Sequence, residues 1–265
     1  MSSIVLHMTD DILYPSHIAW RVSWGGVGDI DEIWGLETSK RVAKAKERLA
    51  AAAVPYRFVV GEMTNEWLDR FVPLYEEYIG AKENGTVFDI RNKITTNQAV
   101  GKKYEAISLW QGDVFLGGVI YSLGVKALHV AYRVFPRQLD IKLPISCSYV
   151  AEDYLYRRAF ELQKHGIVHG KDRNPYGINS AIGLAEYKLK VGCAPWVSQS
   201  EAVVFSDATE LRADQEALVF LGKEKGIKIT EAILFSDRSP EELHKIYGVL
   251  FSQSAVQVRL EKPQT

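Results

Sequence analysis

GIVHGKDRNPYGINSAIGLAEYKLKVG, residues 166–192, is the stretch whose reading decides the fold. It opens on IVHG, a short run of strand character, and then passes through a polar loop of turn-forming residues. A helix is expected next, starting at Asn179 or Ser180 and running to Val191. Ile182, Ala185 and Leu189 recur at helical spacing and form the face to be buried. Asn179 and Ser180 are expected as helix caps, and Gly192 as the residue that ends the helix. Upstream, Pro144 is expected to open a helix reaching His165, with Cys147, Ala151, Leu155, Ala159 and Leu162 as its apolar stripe and Gly166 as its stop.

Before that helix lie three β-rich runs, residues 104–110, 113–123 and 127–135, broken at Gly112 and Gly124. Connections this short join antiparallel neighbours, because a parallel return needs a crossover of about a dozen residues or more. The middle of the chain is therefore predicted to be a β-meander. Further out, residues 19–24 and 56–60 read as strands, and residues 37–53 as a helix ended by Pro55. Thr64 is expected to cap a helix carrying Trp67, Phe71, Leu74 and Tyr78, and a weaker helical pattern covers residues 89–100. After Gly192, residues 197–205 read as a strand, and the tail as mixed α/β with a helix at residues 239–247.

The chain has 265 residues, 47% hydrophobic and 25% charged, enough apolar side chain for a sizeable core. No linker, low-complexity tract or internal repeat divides it, so one principal domain with extensions is expected. Its 32 basic and 33 acidic side chains nearly cancel, which removes a global field toward nucleic acid or an anionic membrane, though a local basic pocket stays open. Cys147 and Cys193 lack metal-ligand spacing and read as reduced thiols. No metal is expected. The first residues, MSSIVLHMTDD, show no targeting pattern, and no apolar run approaches the roughly 20 residues that span a bilayer. A cytoplasmic protein without a membrane partner is the expectation.

From Tyr56 to Phe205 the order is strand, two helices, three-stranded meander, long helix, strand, helix, strand, and this order resembles the GNAT acyltransferase superfamily. Within that superfamily, residues 170–192 are similar to the Fem-type and related acyltransferases. Those carry a polar glycine-containing loop and a helix with a late aromatic-lysine pair, here Tyr187 and Lys188, before a closing glycine, here Gly192. The resemblance implies an α/β (α+β) fold with a mixed, mostly antiparallel central sheet flanked by helices. Its domain would cover residues 56–206, with a strand-plus-helix extension at 1–55 and an α/β extension at 207–265 packed on it. It also implies an N-acyltransferase that moves an acyl group from a thioester donor, acyl-CoA or acetyl-CoA, to a small amine acceptor by direct attack. Two alternatives accompany this reading: a Fem-like enzyme using aminoacyl-tRNA, and a non-catalytic binding protein on the same scaffold. A homodimer is compatible with each.

One departure bears on mechanism. GNAT enzymes hold the coenzyme A pyrophosphate on a glycine-rich loop between the fourth strand and the long helix. The corresponding residues here, Arg137-Gln138-Leu139-Asp140-Ile141-Lys142, keep the arginine but contain no glycine. Cβ atoms obstruct the close approach of backbone amides to phosphate, so the standard cradle is weakened. Arg137 and Lys142 remain as side chains that pair with donor phosphates, or as ordinary surface charges.

Amide formation from a thioester needs alignment, charge stabilisation and a route for one proton, with no obligatory protein nucleophile. His129 on the third meander strand, opposite in face to Leu128, Val130 and Tyr132, either points into a cleft or is a satisfied histidine in the sheet. His169 ends the next strand ahead of Lys171, Asp172 and Arg173, a concentration of ionisable groups where open sheets place ligands. Its bland alternative is a solvated loop with an internal Asp172–Arg173 or Lys171–Asp172 pair. His169, Asp172 and His129 are thus the candidates for proton handling, and Tyr132, Arg173, Tyr176, Asn179 and Lys188 for contacts to substrate. Lys188 shares a helix face with Leu184 and Val191, where a cation needs a partner or snorkels, whereas Glu186 and Lys190 make an ordinary i,i+4 pair. Metalloprotease, P-loop, dinucleotide and nucleophile-elbow motifs are absent, and Gly25-Gly26-Val27-Gly28 is followed by acids, which fits a turn better than a phosphate loop.

Overall fold

The computed structural model describes residues 12–24, 30–82, 85–211, 216–252 and 255–262. The glycine run at 25–28 and the first eleven residues lie outside them. Along the chain come β1 (Leu13–Pro15), β2 (His17–Ser23), α1 (Ile30–Trp34), α2 (Leu36–Ala50), β3 (Tyr56–Glu62), α3 (Asn65–Gly80) and α4 (Ile90–Ala99). The meander follows as β4 (Tyr104–Gln111), β5 (Val114–Leu123) and β6 (Ala127–Val134). Then come α5 (Cys147–Glu161), β7 (Gly166–Arg173), α6 (Ile182–Lys190), β8 (Ala194–Val197) and β9 (Phe205–Asp207). The tail holds β10 (Ala217–Phe220), β11 (Glu231–Phe235), α7 (Pro240–Ile246), α8 (Gly248–Ser252) and β12 (Gln257–Glu261).

A seven-stranded sheet runs in the order β3-β4-β5-β6-β7-β2-β8, flanked by helices. The pairs β3–β4, β4–β5 and β5–β6 are antiparallel and β6–β7 is parallel, so the sheet is mixed and mostly antiparallel, as expected. Parallel pairing of β6 with β7 covers only Ala127–His129 against Gly166–Val168, while β6 continues to Val134 and β7 to Arg173. No described helix is long and apolar enough to cross a membrane.

Two compact units divide the chain. One comprises Trp20–Gly170 and Lys190–Cys193. In it α3 and α4 bury Leu68, Phe71, Tyr75, Ile90 and Ile94 against Tyr104, Ala106, Ile120 and Val134 of the meander. Helix α2 buries Val42, Ala45 and Leu49, and α5 buries Val150, Ala151, Leu155 and Ala159. The Trp24 ring packs on Tyr156 and Phe160 at 5.8 and 4.7 Å between centroids. The other unit comprises Met1–Ala19, Lys171–Leu189 and Ala194–Thr265. There β1 pairs with β9, β10-β11-β12 form a second sheet, and Ala208, Ala217, Val219, Ile233 and Phe235 make a small core. Buried Asn174 joins its pieces: Nδ2 donates to the carbonyls of Pro15 (2.9 Å) and Phe220 (3.0 Å), and Oδ1 accepts from the Phe220 amide.

Four element boundaries differ from the sequence reading, each for a local reason. Helix α5 starts at Cys147, not Pro144, because the Pro144 carbonyl accepts from the Arg41 guanidinium and Ser146 is still extended (ψ 154°). It stops at Glu161, not near His165. Gln163 takes a left-handed φ of 53°, and the amides of Gln163 and Lys164 return to the carbonyls of Phe160 and Ala159. Gly166 therefore belongs to β7, where a Cβ would overlap the Val22 carbonyl oxygen. Helix α6 starts at Ile182, so Asn179 and Ser180 do not cap it; Asn179 Nδ2 donates to the Asn174 carbonyl (3.1 Å) and the Ser180 carbonyl accepts from Gly177. The strand expected over residues 197–205 is two short strands with a loop between, where the hydroxyls of Ser198 and Ser200 accept from backbone amides two residues on.

Candidate functional site

Strand alternation and one glycine sort the charges of residues 169–173. Gly170 adopts φ 81°, a left-handed conformation costly for any residue with a Cβ, and it breaks the regular alternation of β7 between His169 and Asp172. In the unit that contains Lys171–Leu189, Asp172 Oδ2 accepts from Lys188 Nζ at 2.7 Å and from the Tyr176 hydroxyl at 2.8 Å. The Lys188 side chain is 8% exposed and that of Asp172 13%, so the pair is nearly withdrawn from water. Tyr176 is fully buried, with its ring edge-on to Phe220 at 5.5 Å. The internal Asp172–Arg173 or Lys171–Asp172 pairing is thus replaced by a bond to the helix. Lys171 and Arg173 are exposed, and Asn179, also exposed, braces the loop at Asn174.

His17, which sequence reading passed over, belongs to the same unit. Its Nδ1 lies 3.0 Å from the Ser16 hydroxyl. Burial, then the cations of Lys171 and Arg173, hold its pKa below the ordinary histidine value. Its only sequence signal was position at the start of a strand.

In the unit that contains Trp20–Gly170, His169 turns inward. Its Nδ1 sits 3.7 Å from Oε1 of Glu152, a completely buried carboxylate on α5 that also pairs with the Arg133 guanidinium of β6. Neither Arg133 nor Glu152 was singled out from sequence. The available signal was Glu152 itself, an acid three and four residues before Leu155 and Tyr156 on a buried face. Tyr132, next to Arg133, packs edge-on against Tyr75 at 5.7 Å, and burial pushes its phenol up to about 12. His129 is exposed near the turn at Gly124, its pKa lowered by partial burial and by the cations of Lys102 and Arg21.

The loop carrying Arg137 and Lys142 borders a cavity of about 430 Å³ at the start of α5. The Tyr56 hydroxyl and Gln111 Nε2 (2.9 Å) donate to Asp140, holding its carboxyl below the usual range, and Arg48 donates to the Lys142 carbonyl at 2.8 Å. Arg137 and Lys142 themselves are exposed. Cys147 at the cavity's edge has a thiol pushed up to about 11 by burial, so it is not a thiolate at neutral pH, and Cys193 is a buried thiol that forms no disulfide. Among the described residues no cluster of His, Cys, Asp and Glu is arranged to hold a metal ion.

By its fold the chain is an α/β protein with a mixed, mostly antiparallel seven-stranded sheet carrying helices. No family model matches the chain, and no curated protein does. Solved structures similar to it include FemX, at 12% identity and TM-score 0.47, covering 71% of this chain and 61% of that one. Another is the C-terminal domain of a candidate lysylphosphatidylglycerol synthetase from Agrobacterium fabrum, at 9% identity and TM-score 0.46, covering 69% and 59%. A third is a tandem GNAT protein from the clavulanic acid biosynthesis pathway, at 12% identity and TM-score 0.44, covering 75% and 54%. The chain spans between 54% and 61% of the length of these three structures.

Proposed function

We propose that the chain is an N-acyltransferase that moves an acyl group from a thioester donor to a small amine. The observation that carries this reading is the buried Lys188 ammonium held at 2.7 Å on Asp172, a fixed positive charge in a site that excludes most water. In the reaction the amine lone pair attacks the thioester carbonyl carbon, and the carbonyl π electrons move onto oxygen. Lys188 faces that oxyanion, and its worth is greatest where the dielectric is low. The amine proton passes to the Asp172 carboxylate as the C–N bond forms. The oxyanion then collapses, the C–S bond breaks, and the departing thiolate takes the proton, leaving an amide and a free thiol. Tyr176 keeps the carboxylate in place.

The test is a panel of acyl-CoA donors and amine acceptors with release of free thiol measured. Turnover is expected with at least one pair, and Lys188→Gln is expected to lower kcat by about 10²–10³, the usual loss for one oxyanion donor. Release at the no-enzyme rate with every pair would sink the reading. The Fem-like reading, with an aminoacyl-tRNA donor, draws support from one feature: the 137–142 loop has no glycine and is fixed by Tyr56, Gln111 and Arg48. Retention of aminoacyl-tRNA with steep salt dependence, together with inert acyl-CoA, would select it.

A further inference from the structure

At the far end of α5 from the 137–142 loop lies a second and larger cavity, of about 1020 Å³, and no step of acyl transfer uses it. The ends of β3, β4 and β5 contribute Glu62, Glu105 and Leu123, α5 contributes Tyr154, Arg157, Arg158 and Glu161, and the α4–β4 connection contributes Lys102 and Lys103. Along α5 the two linings come no closer than Cys147 and Tyr154, a rise of about 10 Å.

Most of the charge around the cavity is already matched. Arg158 grips Glu105 with two bonds, Nε to Oε2 at 2.9 Å and Nη2 to Oε1 at 2.6 Å, while buried Tyr121 donates to the same carboxylate at 2.8 Å. Glu105 is thereby held below the ordinary carboxylate range and is a fixed part of the wall. A third nitrogen of Arg158 meets Glu161 at 3.2 Å, and Arg157 is bound to Asp153 by two bonds of 2.8 and 3.1 Å.

Lys102 and Lys103 are different. Among the described residues neither ammonium has a carboxylate within ion-pair distance, and the charge of Lys102 reaches far enough to depress the pKa of His129. Their backbone is nonetheless fixed: the Lys102 amide donates to the Asn97 carbonyl (3.0 Å), and the Lys103 carbonyl accepts from Leu123 (3.0 Å). Lys102 Nζ lies over the Tyr104 ring, 5.5 Å from its centroid, and Lys102, Lys103 and Glu62 line the cavity without an ion-pair partner among the described residues.

The geometry points to a binding site for a small phosphate monoester, the phosphate on Lys102 and Lys103 and the organic body inside the cavity beside Tyr154. Lysine favours phosphate here for a physical reason. A carboxylate is met best by the planar guanidinium fork, and both forks in the cavity are occupied by Asp153 and Glu105, whereas ammonium groups serve phosphate as point charges. A volume of this order suits a metabolite-sized body. The site stands whether or not the chain transfers acyl groups.

Calorimetric titration of the full chain with adenosine 5′-monophosphate tests it, with adenosine and inorganic phosphate as further arms. Saturable binding of the monophosphate is expected, displaced by inorganic phosphate and weakened by salt. Lys102→Glu/Lys103→Glu is expected to weaken it by about tenfold or more, and Lys245→Glu, at an exposed lysine that lines neither cavity, to leave it unchanged. The lysines are exposed, so the double variant should fold, which its thermal midpoint verifies; Lys102→Gln/Lys103→Gln gives a milder loss by the same mechanism. The proposal is overturned if the monophosphate does not bind, if adenosine binds as tightly, or if binding survives the double charge reversal. Loss of binding in Lys142→Glu alone also overturns it, because the anion would then occupy the cavity at the start of α5.

Discussion

Asp172 and Lys188 are 16 residues apart in sequence and form one nearly buried ion pair. Such a pair gives little net stability, since two desolvated charges recover in mutual attraction about what they lost, but removing one partner strands the other. Lys188→Ala is therefore expected to destabilise the fold by about 3–5 kcal/mol, and Asp172→Leu/Lys188→Met to recover most of it. Urea unfolding of the three proteins checks this; a single variant within about 1 kcal/mol of the parent would mean that the pair is solvated. Lys188 was legible in the sequence because a cation sharing a helix face with Leu184 and Val191 demands a partner. Its partner was not, since neighbours along the strand, Lys171 and Arg173, looked equally suitable for Asp172 until the break at Gly170 turned them elsewhere. The Arg133–Glu152 pair was hidden for a related reason: residues on a strand and a distant helix meet only once the sheet is built.

At the scale of elements, the meander was legible because each of its turns is short and marked by glycine, and its three strands pair as the spacing required. The helix ends were less so, because the chain uses capping devices that composition does not advertise. Helix α5 stops on a left-handed Gln163 inside a bonding pattern usually built on glycine, so sequence reading carried it on toward Gly166. A side chain in that conformation costs of order 1–3 kcal/mol, part of which glycine gives back in the unfolded chain. Gln163→Gly is accordingly expected to stabilise the protein by about 0.5–1 kcal/mol, and Gln163→Val to destabilise it. Thr64 gives the converse case: its side chain accepts from the Trp67 amide at the start of α3, as the sequence indicated. Thr64→Ala should cost about 1 kcal/mol, whereas Ser146→Ala, at a helix start without a side-chain cap bond, should cost much less. Thermal midpoints of the four variants separate these outcomes, and equal effects at Thr64 and Ser146 would refute the capping assignment.

For the molecule as a whole, a net charge of −1 leaves little global field, so the response of stability to pH comes from individual groups. His17 and His129 are both held below the ordinary histidine value of 6.5, chiefly by burial and then by nearby cations. Unfolding returns each to about that value. Below it the unfolded chain binds more protons than the folded one, so the stability these groups contribute is complete above pH 6.5 and is lost as the pH falls toward their folded values. Glu105, held low by Arg158, and Glu242, held low by the Ser239 amide and hydroxyl, act in the same sense only below their ordinary 4.5. The interval between those two values therefore belongs mainly to the imidazoles. Stability of the parent, from urea midpoints, is expected to fall between about pH 7 and about pH 5. In His17→Gln/His129→Gln that fall should become shallower, while the steeper loss at lower pH stays. Identical slopes for parent and variant across the interval would show that both histidines titrate as they do in the unfolded chain.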